Sequence, residues 1–310
     1  MQTLELQVEG QAPDPLSACV WSVLAQWGQR VSYDCIAGLC GAAFSHALRR
    51  AESCAAWWME VSNDTRLEFL GHALGFTVER SPDLRQPGAR KHFGCTVRHA
   101  LLAGDGVLCA SWPCWTLVKE WHDDPAHMSL RPPGGQPVPL GAVEAARLYV
   151  LRPAERYLTR CEALRDALRF ASDVANGRCG SEGATYGGEL YSAWQARLKQ
   201  EQFCPDCGAL DWRCAERTAR RTRGCQVSAA QFLSRAGSLL PKLTGNCALG
   251  AASEAYSAMA RKLEPYAVPG GLCGRWTNSQ TRQHYAADVR QVAALHQQAA
   301  DNLSRLACRL

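Results

Sequence analysis

The sequence predicts an α+β domain over residues 1–152, followed by an α-helical domain over residues 153–310. Two observations carry that division. Up to Leu151, short alternating apolar runs stand among short helical periods, as in an α+β domain. Beyond about Glu155 almost every segment has the period of an amphipathic helix. Pro153 marks the change. In the first domain, Leu4, Leu6 and Val8 alternate like a strand, and a helix from about Ala18 to Trp27 stops at Gly28. Ser32 has the chemistry of an N-cap for a second helix through Leu39, and Asn63 and Asp64 for a third. That third helix puts Leu67, Leu70, Ala73 and Leu74 on one face before Gly75. A strand from Phe76 to Glu79 follows. After a loop with Pro82, Pro87 and Gly88 comes a helix from about Thr96 to Ala103, ended by Gly104. Val107 to Trp112 and Trp115 to Trp121 read as paired antiparallel strands with Pro113 and Cys114 at their junction. Arg131 to Pro139 is a loop and Arg147 to Leu151 a last strand. The second domain reads as helices over about Thr159 to Asn176, Gly188 to Gln202, Val227 to Leu240, Cys247 to Leu263 and Asn278 to Leu306. Glycine-rich loops are expected at Gly177 to Gly188 and Tyr266 to Gly274.

The 310 residues suit two domains, and 47% hydrophobic against 20% charged residues is a globular composition that excludes a disordered or fibrous chain. A formal charge of +5 is too small an excess over this length to call for nucleic acid. No run approaches the ~18 apolar residues of a membrane span. Residues 1–10 have neither the basic nor the apolar region of a secretory signal, so a cytoplasmic location is expected. The unusual feature is 16 cysteines. In a reducing compartment most of them read as small packing hydrophobes, as at Cys109, Cys161, Cys247 and Cys308, which have apolar neighbours.

Two groups of cysteines have further chemistry. Cys19 directly follows the expected start of a helix, where free N–H groups and the helix dipole stabilise a thiolate, as a nucleophile requires. Its alternative is a buried helical cysteine. Cys204-Pro-Asp-Cys207-Gly is a knuckle suited to two zinc ligands, with Cys214 and Cys225 as the other two. A disulfide or redox pair, or free structural thiols, are the alternatives, and no other cofactor is expected. Arg217, Arg220, Arg221 and Arg223 form the densest basic run, read as a solvated helix face rather than an anion or nucleic-acid contact. Phosphate-binding glycine loops, a zinc-protease helix and a nucleophile elbow are absent.

Cys19-Val-Trp-Ser-Val-Leu-Ala-Gln-Trp-Gly28, Val31-Ser-Tyr-Asp34 and Ala37-Gly-Leu-Cys-Gly-Ala-Ala-Phe44 together resemble the opening of papain-like domains. The resemblance is to bacteriocin-processing peptidases and, more closely, to the N-terminal domain of the butirosin-biosynthesis protein H acyltransferase type. Leu84 to Trp121 continues the pattern. Tyr186 to Trp194 and the segment around Ala229-Ala-Gln-Phe-Leu233 resemble the helical extension of uncharacterised bacterial proteins of that kind. The resemblance implies a papain-like fold with Cys19 as nucleophile, a histidine base, an acidic or amide orienter, and a glutamine that binds the oxyanion. Gln11 lies eight residues before Cys19, a poor match for that glutamine. The histidine should open the strand Trp115 to Trp121, where Pro113 and Cys114 stand instead. Without a base within reach, a cysteine of ordinary pKa is mostly thiol at neutral pH. His122, His127 and His99 are the substitutes the sequence offers, with Asp123 and Asp124 as orienters. His122 and His127 lie beyond the far end of a strand about 20 Å long, and His122-Asp-Asp-Pro125 also suits a solvated turn. Trp57, Trp58, Trp112, Cys114 and Trp115 would line the cleft of such a fold, or belong to its core. The expectation is therefore a catalytically degenerate papain-like protein that binds a peptide or small molecule in its interdomain cleft, with no nucleic-acid or membrane partner. An active cysteine hydrolase or acyltransferase using Cys19 is the alternative. Oligomeric state is not encoded in any motif.

Overall fold

A computed structural model describes residues 14–45, 47–49, 63–82, 88–111, 114–120, 129–131, 138–139, 147–179, 184–199, 212–240 and 247–310. In chain order its elements are α1 (Pro15–Gln26), α2 (Tyr33–Leu39), β1 (Ala47–Arg49), α3 (Asn63–Leu74), β2 (Phe76–Arg80), α4 (Ala89–Ala103), β3 (Gly106–Ser111) and β4 (Cys114–Glu120). They continue as β5 (Ser129–Arg131), β6 (Val138–Pro139), β7 (Arg147–Pro153), α5 (Arg160–Ala175), β8 (Ala184–Tyr186), α6 (Gly187–Lys199), α7 (Trp212–Leu239), α8 (Cys247–Ala267) and α9 (Ser279–Ala307). The fold is α+β, as the sequence predicts, and its strands pair antiparallel. No helix among the described residues is long and apolar enough to cross a membrane.

The chain folds as two compact units that are discontinuous in sequence: Met1–Ile36 with Leu67–Leu158, and Ala37–Arg66 with Thr159–Leu310. The sequence suggests a single crossing near Pro153. The structure adds an earlier excursion, because the chain changes unit inside α2 and again inside α3.

The first unit is built on a six-stranded sheet of order β2-β7-β3-β4-β5-β6. Side chains alternate along a strand, so Val107 and Cys109 of β3 share a face with Leu148 and Val150 of β7 and Val118 of β4. Phe93, Val97 and Ala100 of α4 cover that face. The other face carries Leu108, Leu117, Tyr149 and Leu151, and α1 packs there against β4. Gly106 records how close α1 comes, since a Cβ at that position would lie 2.5 Å from a Val23 methyl. The unit is thus helix, sheet, helix. α3 ends as expected at Gly75, whose φ of +87° requires glycine, and buries the predicted stripe Leu67, Leu70, Ala73 and Leu74.

Among the described residues the second unit is helical apart from the short ladder of β1 with β8, and β8 falls inside the expected loop Gly177 to Gly188. α7 packs on α8, α8 on α9, and α5 and α6 on α9. Thr159 and Glu162 form a reciprocal capping box at the start of α5. Asn278 caps α9 through the Gln280 N–H. Buried residues recur at helical spacing along α9: Val289, Val292, His296, Ala299, Leu303 and Leu306.

Candidate functional site

The helix that bears Cys19 begins earlier than its sequence suggests. Pro15 takes the first helical position, where its missing N–H costs nothing, and the Asp14 side chain accepts hydrogen bonds from the Ser17 N–H at 2.7 Å and the Ser17 hydroxyl at 2.6 Å. The Asp14 N–H in turn donates to the Tyr33 hydroxyl at 3.0 Å. Replacing Asp14 with alanine removes the cap and is expected to cost about 1 kcal/mol, measurable as a lower denaturant midpoint; an unchanged midpoint would mean that another group caps α1.

This start corrects the expected surroundings of Cys19. The Ala18 N–H is already bonded to the Asp14 carbonyl at 3.2 Å, so Cys19 stands one residue deeper, in the second turn. Its own N–H belongs to the helical ladder, and the dipole effect fades beyond the first turn. Cys19 is 0% exposed. It lies four residues before Val23 and therefore on the helix face that packs on the sheet.

His99 is exposed on α4, which covers the opposite face of the sheet from α1, so the sheet stands between His99 and Cys19. Trp115 is buried on the α1 side, with its ring 5.1 Å from that of Tyr149. Cys114 is the first residue of β4, paired with Ser111. The strand that the resemblance would open with a histidine therefore exists and packs against α1. Gln11, Trp57, Trp58, Trp112, His122, Asp123, Asp124 and His127 lie outside the described residues.

Of the zinc candidates, Cys204 and Cys207 also lie outside the described residues. Cys214 and Cys225 stand on the single helix α7, eleven residues apart. At 1.5 Å per residue that is about 16 Å of helix axis, so these two do not serve one tetrahedral ion. No group of three or more metal-ligating side chains occurs among the described residues. In the basic run, Arg220 pairs with Glu216 and donates to the Ala267 carbonyl, and Arg223 pairs with Glu264 at 3.0 Å.

The packing role expected for four cysteines holds for Cys109 and fails for Cys161, Cys247 and Cys308, which are exposed. Each of those three sits at a helix end, in the first turn of α5, at the start of α8 and at the C-cap of α9. Apolar neighbours in sequence do not bury a residue that the helix turns outward.

A set of groups that the sequence did not single out lies within the second unit. Tyr191 of α6, Gln226 of α7, Tyr256 of α8 and His296 of α9 are each at most 2% exposed. The Tyr191 and His296 rings are 5.0 Å apart. The Tyr256 hydroxyl and His296 Nδ1 are buried without a hydrogen-bond partner in the protein, whereas the Gln226 amide lies close enough to the Tyr191 phenol to hydrogen-bond with it. Burial pushes the His296 pKa down to about 4 and the two phenols well above their usual range, so all four groups are neutral at neutral pH. The available signal was periodicity: Gln226 and His296 occupy buried-stripe positions where an apolar residue is the default. The chain matches no protein-family model and no curated protein.

Proposed function

We propose that this chain is a papain-like protein that has given up acyl chemistry, keeps Cys19 as a core residue, and acts by binding a peptide or small molecule. The burial of Cys19 in the second turn of α1 carries this reading. A working thiolate needs an electropositive, accessible place and a base within hydrogen-bond reach. Cys19 has neither the free first-turn N–H groups nor exposure to a substrate, and His99 is on the far side of the sheet. In favour of the papain-like part are a buried helix laid on an antiparallel sheet and a strand beginning where the base would stand.

Iodoacetamide labelling of the native protein, followed site by site by mass spectrometry, tests the catalytic half of the proposal. Cys161, Cys247 and Cys308, which are exposed, should label readily. Cys19 should lag them by about 100-fold or more, because it reacts only through local opening. Fast labelling of Cys19 below pH 7, lost in Cys19→Ala, would restore the active hydrolase.

A further inference from the structure

Three aromatic rings of the second unit meet around Tyr285 of α9. Tyr266 of α8 stacks on it face to face, with centroids 3.9 Å apart and planes 11° from parallel. Trp194 of α6 and Trp276, in the turn between α8 and α9, stand edge-on to it at 5.7 and 6.2 Å. All four are buried, from 0% exposed for Tyr285 to 8% for Tyr266. Packing explains these ring contacts. The phenol protons decide what else the group can do. The Tyr266 hydroxyl donates to Asp288 Oδ2 at 2.7 Å, and Asp288 Oδ1 lies 3.6 Å from Lys262 Nζ. The Asp288 side chain is partly exposed, so the row of rings ends at a carboxylate in contact with water.

Indole and phenol rings give up single electrons, and rings in contact pass them on. A phenol is the stable resting place for the electron deficiency only if its proton leaves with the electron, because a phenol radical that keeps its proton is a stronger oxidant than an oxidised indole. That proton needs a base at about 2.6–3.2 Å. The Tyr285 hydroxyl donates to the Ala215 carbonyl at 3.2 Å, which is too weak a base, whereas Tyr266 faces a carboxylate. Before oxidation the proton stays on Tyr266, since burial and the Asp288 charge both push its pKa up. We propose that Trp194, Trp276, Tyr285 and Tyr266 form a relay that carries an oxidising equivalent out of the helical bundle, with the Tyr266–Asp288 pair as its end. A one-electron oxidant of the oxygen-radical class takes an electron from an indole. Tyr266 refills that indole through Tyr285 and passes its proton to Asp288. The products are an intact indole, a neutral Tyr266 radical and a protonated Asp288. An enediolate reductant in solution then returns one electron, becoming a radical itself, and Asp288 returns the proton, so the chain ends unchanged. This relay is separate from Cys19 and does not rest on the papain-like reading.

Flash photoionisation of tryptophan in the full chain, with the ejected electron scavenged by nitrate, starts the relay without an oxidant having to enter the bundle. Transient absorption should show indolyl radical decaying as tyrosyl radical grows, at a rate independent of protein concentration. Tyr266→Phe should lose the larger part of the tyrosyl signal and keep its indolyl radical longer. The Trp194→Phe/Trp276→Phe chain, which retains the other tryptophans, should lose the same growth. Asp288→Asn keeps a hydrogen-bond acceptor at the phenol but removes the base. Tyrosyl growth in it should slow about 100-fold, the low end of what a positioned base contributes. Circular dichroism reports the fold of each variant; should Tyr266→Phe not fold, Asp288→Asn decides. The proposal is overturned if the parent's indolyl radicals decay without tyrosyl growth, or if folded Tyr266→Phe yields as much tyrosyl radical as the parent, because the radical then rests elsewhere. It is also overturned if folded Asp288→Asn forms tyrosyl radical at the parent rate, because Asp288 then takes no proton.

Discussion

Lowering the pH from 7 to 4 is expected to cost the folded protein about 3 kcal/mol through His296 alone. The imidazole titrates near 6.5 when exposed and near 4 in its buried place on α9, with desolvation as the cause. Above pH 6.5 both folded and unfolded chains hold it neutral, and the stability is complete. As the pH falls below 6.5 the unfolded chain takes up a proton that the folded chain refuses, and stability declines until the pH reaches about 4. Desolvation acts on His296 with no charged group offsetting it, and Tyr191, ring to ring with His296, is itself neutral. Denaturant midpoints measured at steps between pH 7 and pH 4, for the parent and for His296→Leu, check this. The variant lacks the His296 contribution and should show a shallower decline; parallel curves would show that His296 does not control acid stability.

The same residue illustrates what the sequence shows and what it hides. Helix ends with side-chain or glycine caps could be read directly: Ser32 before α2, Thr159 and Glu162 at α5, Asn278 at α9, and Gly75 and Gly104 as stops. These signals are local, and local chemistry decides them. α7 was legible only from Val227, although it begins at Trp212. The described buried positions of its first half are Glu216, Thr218, Ala219, Thr222 and Cys225, three of them polar, so the apolar period that marks a helix is broken there. α4 likewise begins at Ala89 rather than Thr96, after a left-handed Gly88 that offers no side-chain cap. The insertion of β7 between β2 and β3 is a pairing across many residues, which no local pattern contains. For the candidate site, the position of Cys19 on a buried helix was visible, but its place along that helix depends on Asp14 and Pro15 capping three residues earlier than expected. A buried polar stripe position such as His296 or Gln226 reads in sequence as an interruption of the stripe. Only the bundle shows that both interruptions lie against Tyr191.

Gly38→Ala should destabilise the second unit although it improves a helix. Gly38 lies near the end of α2, where alanine is favoured over glycine by about 1 kcal/mol on propensity alone. A Cβ there would fall among the ring carbons of Phe232 on α7. Phe232 is 1% exposed and its ring stands edge-on to Phe44 at 6.0 Å, which in turn stands edge-on to Tyr256 at 5.5 Å. The ring cannot move aside without displacing both neighbours, and overpacking of this kind costs typically about 1–3 kcal/mol. The clash exceeds the propensity gain, so the net effect is a loss of up to about 2 kcal/mol. A double-mutant cycle separates the two terms. In a Phe232→Leu background the aromatic ring is gone, so Gly38→Ala should change sign and become neutral or stabilising, read from the denaturant midpoint. If Gly38→Ala costs the same in both backgrounds, Phe232 is not what requires glycine at position 38. The sign reversal would explain in physical terms why glycine stands in the Ala37-Gly-Leu-Cys-Gly41 segment: it lets α2 and α7 approach at the distance of a backbone and an aromatic ring.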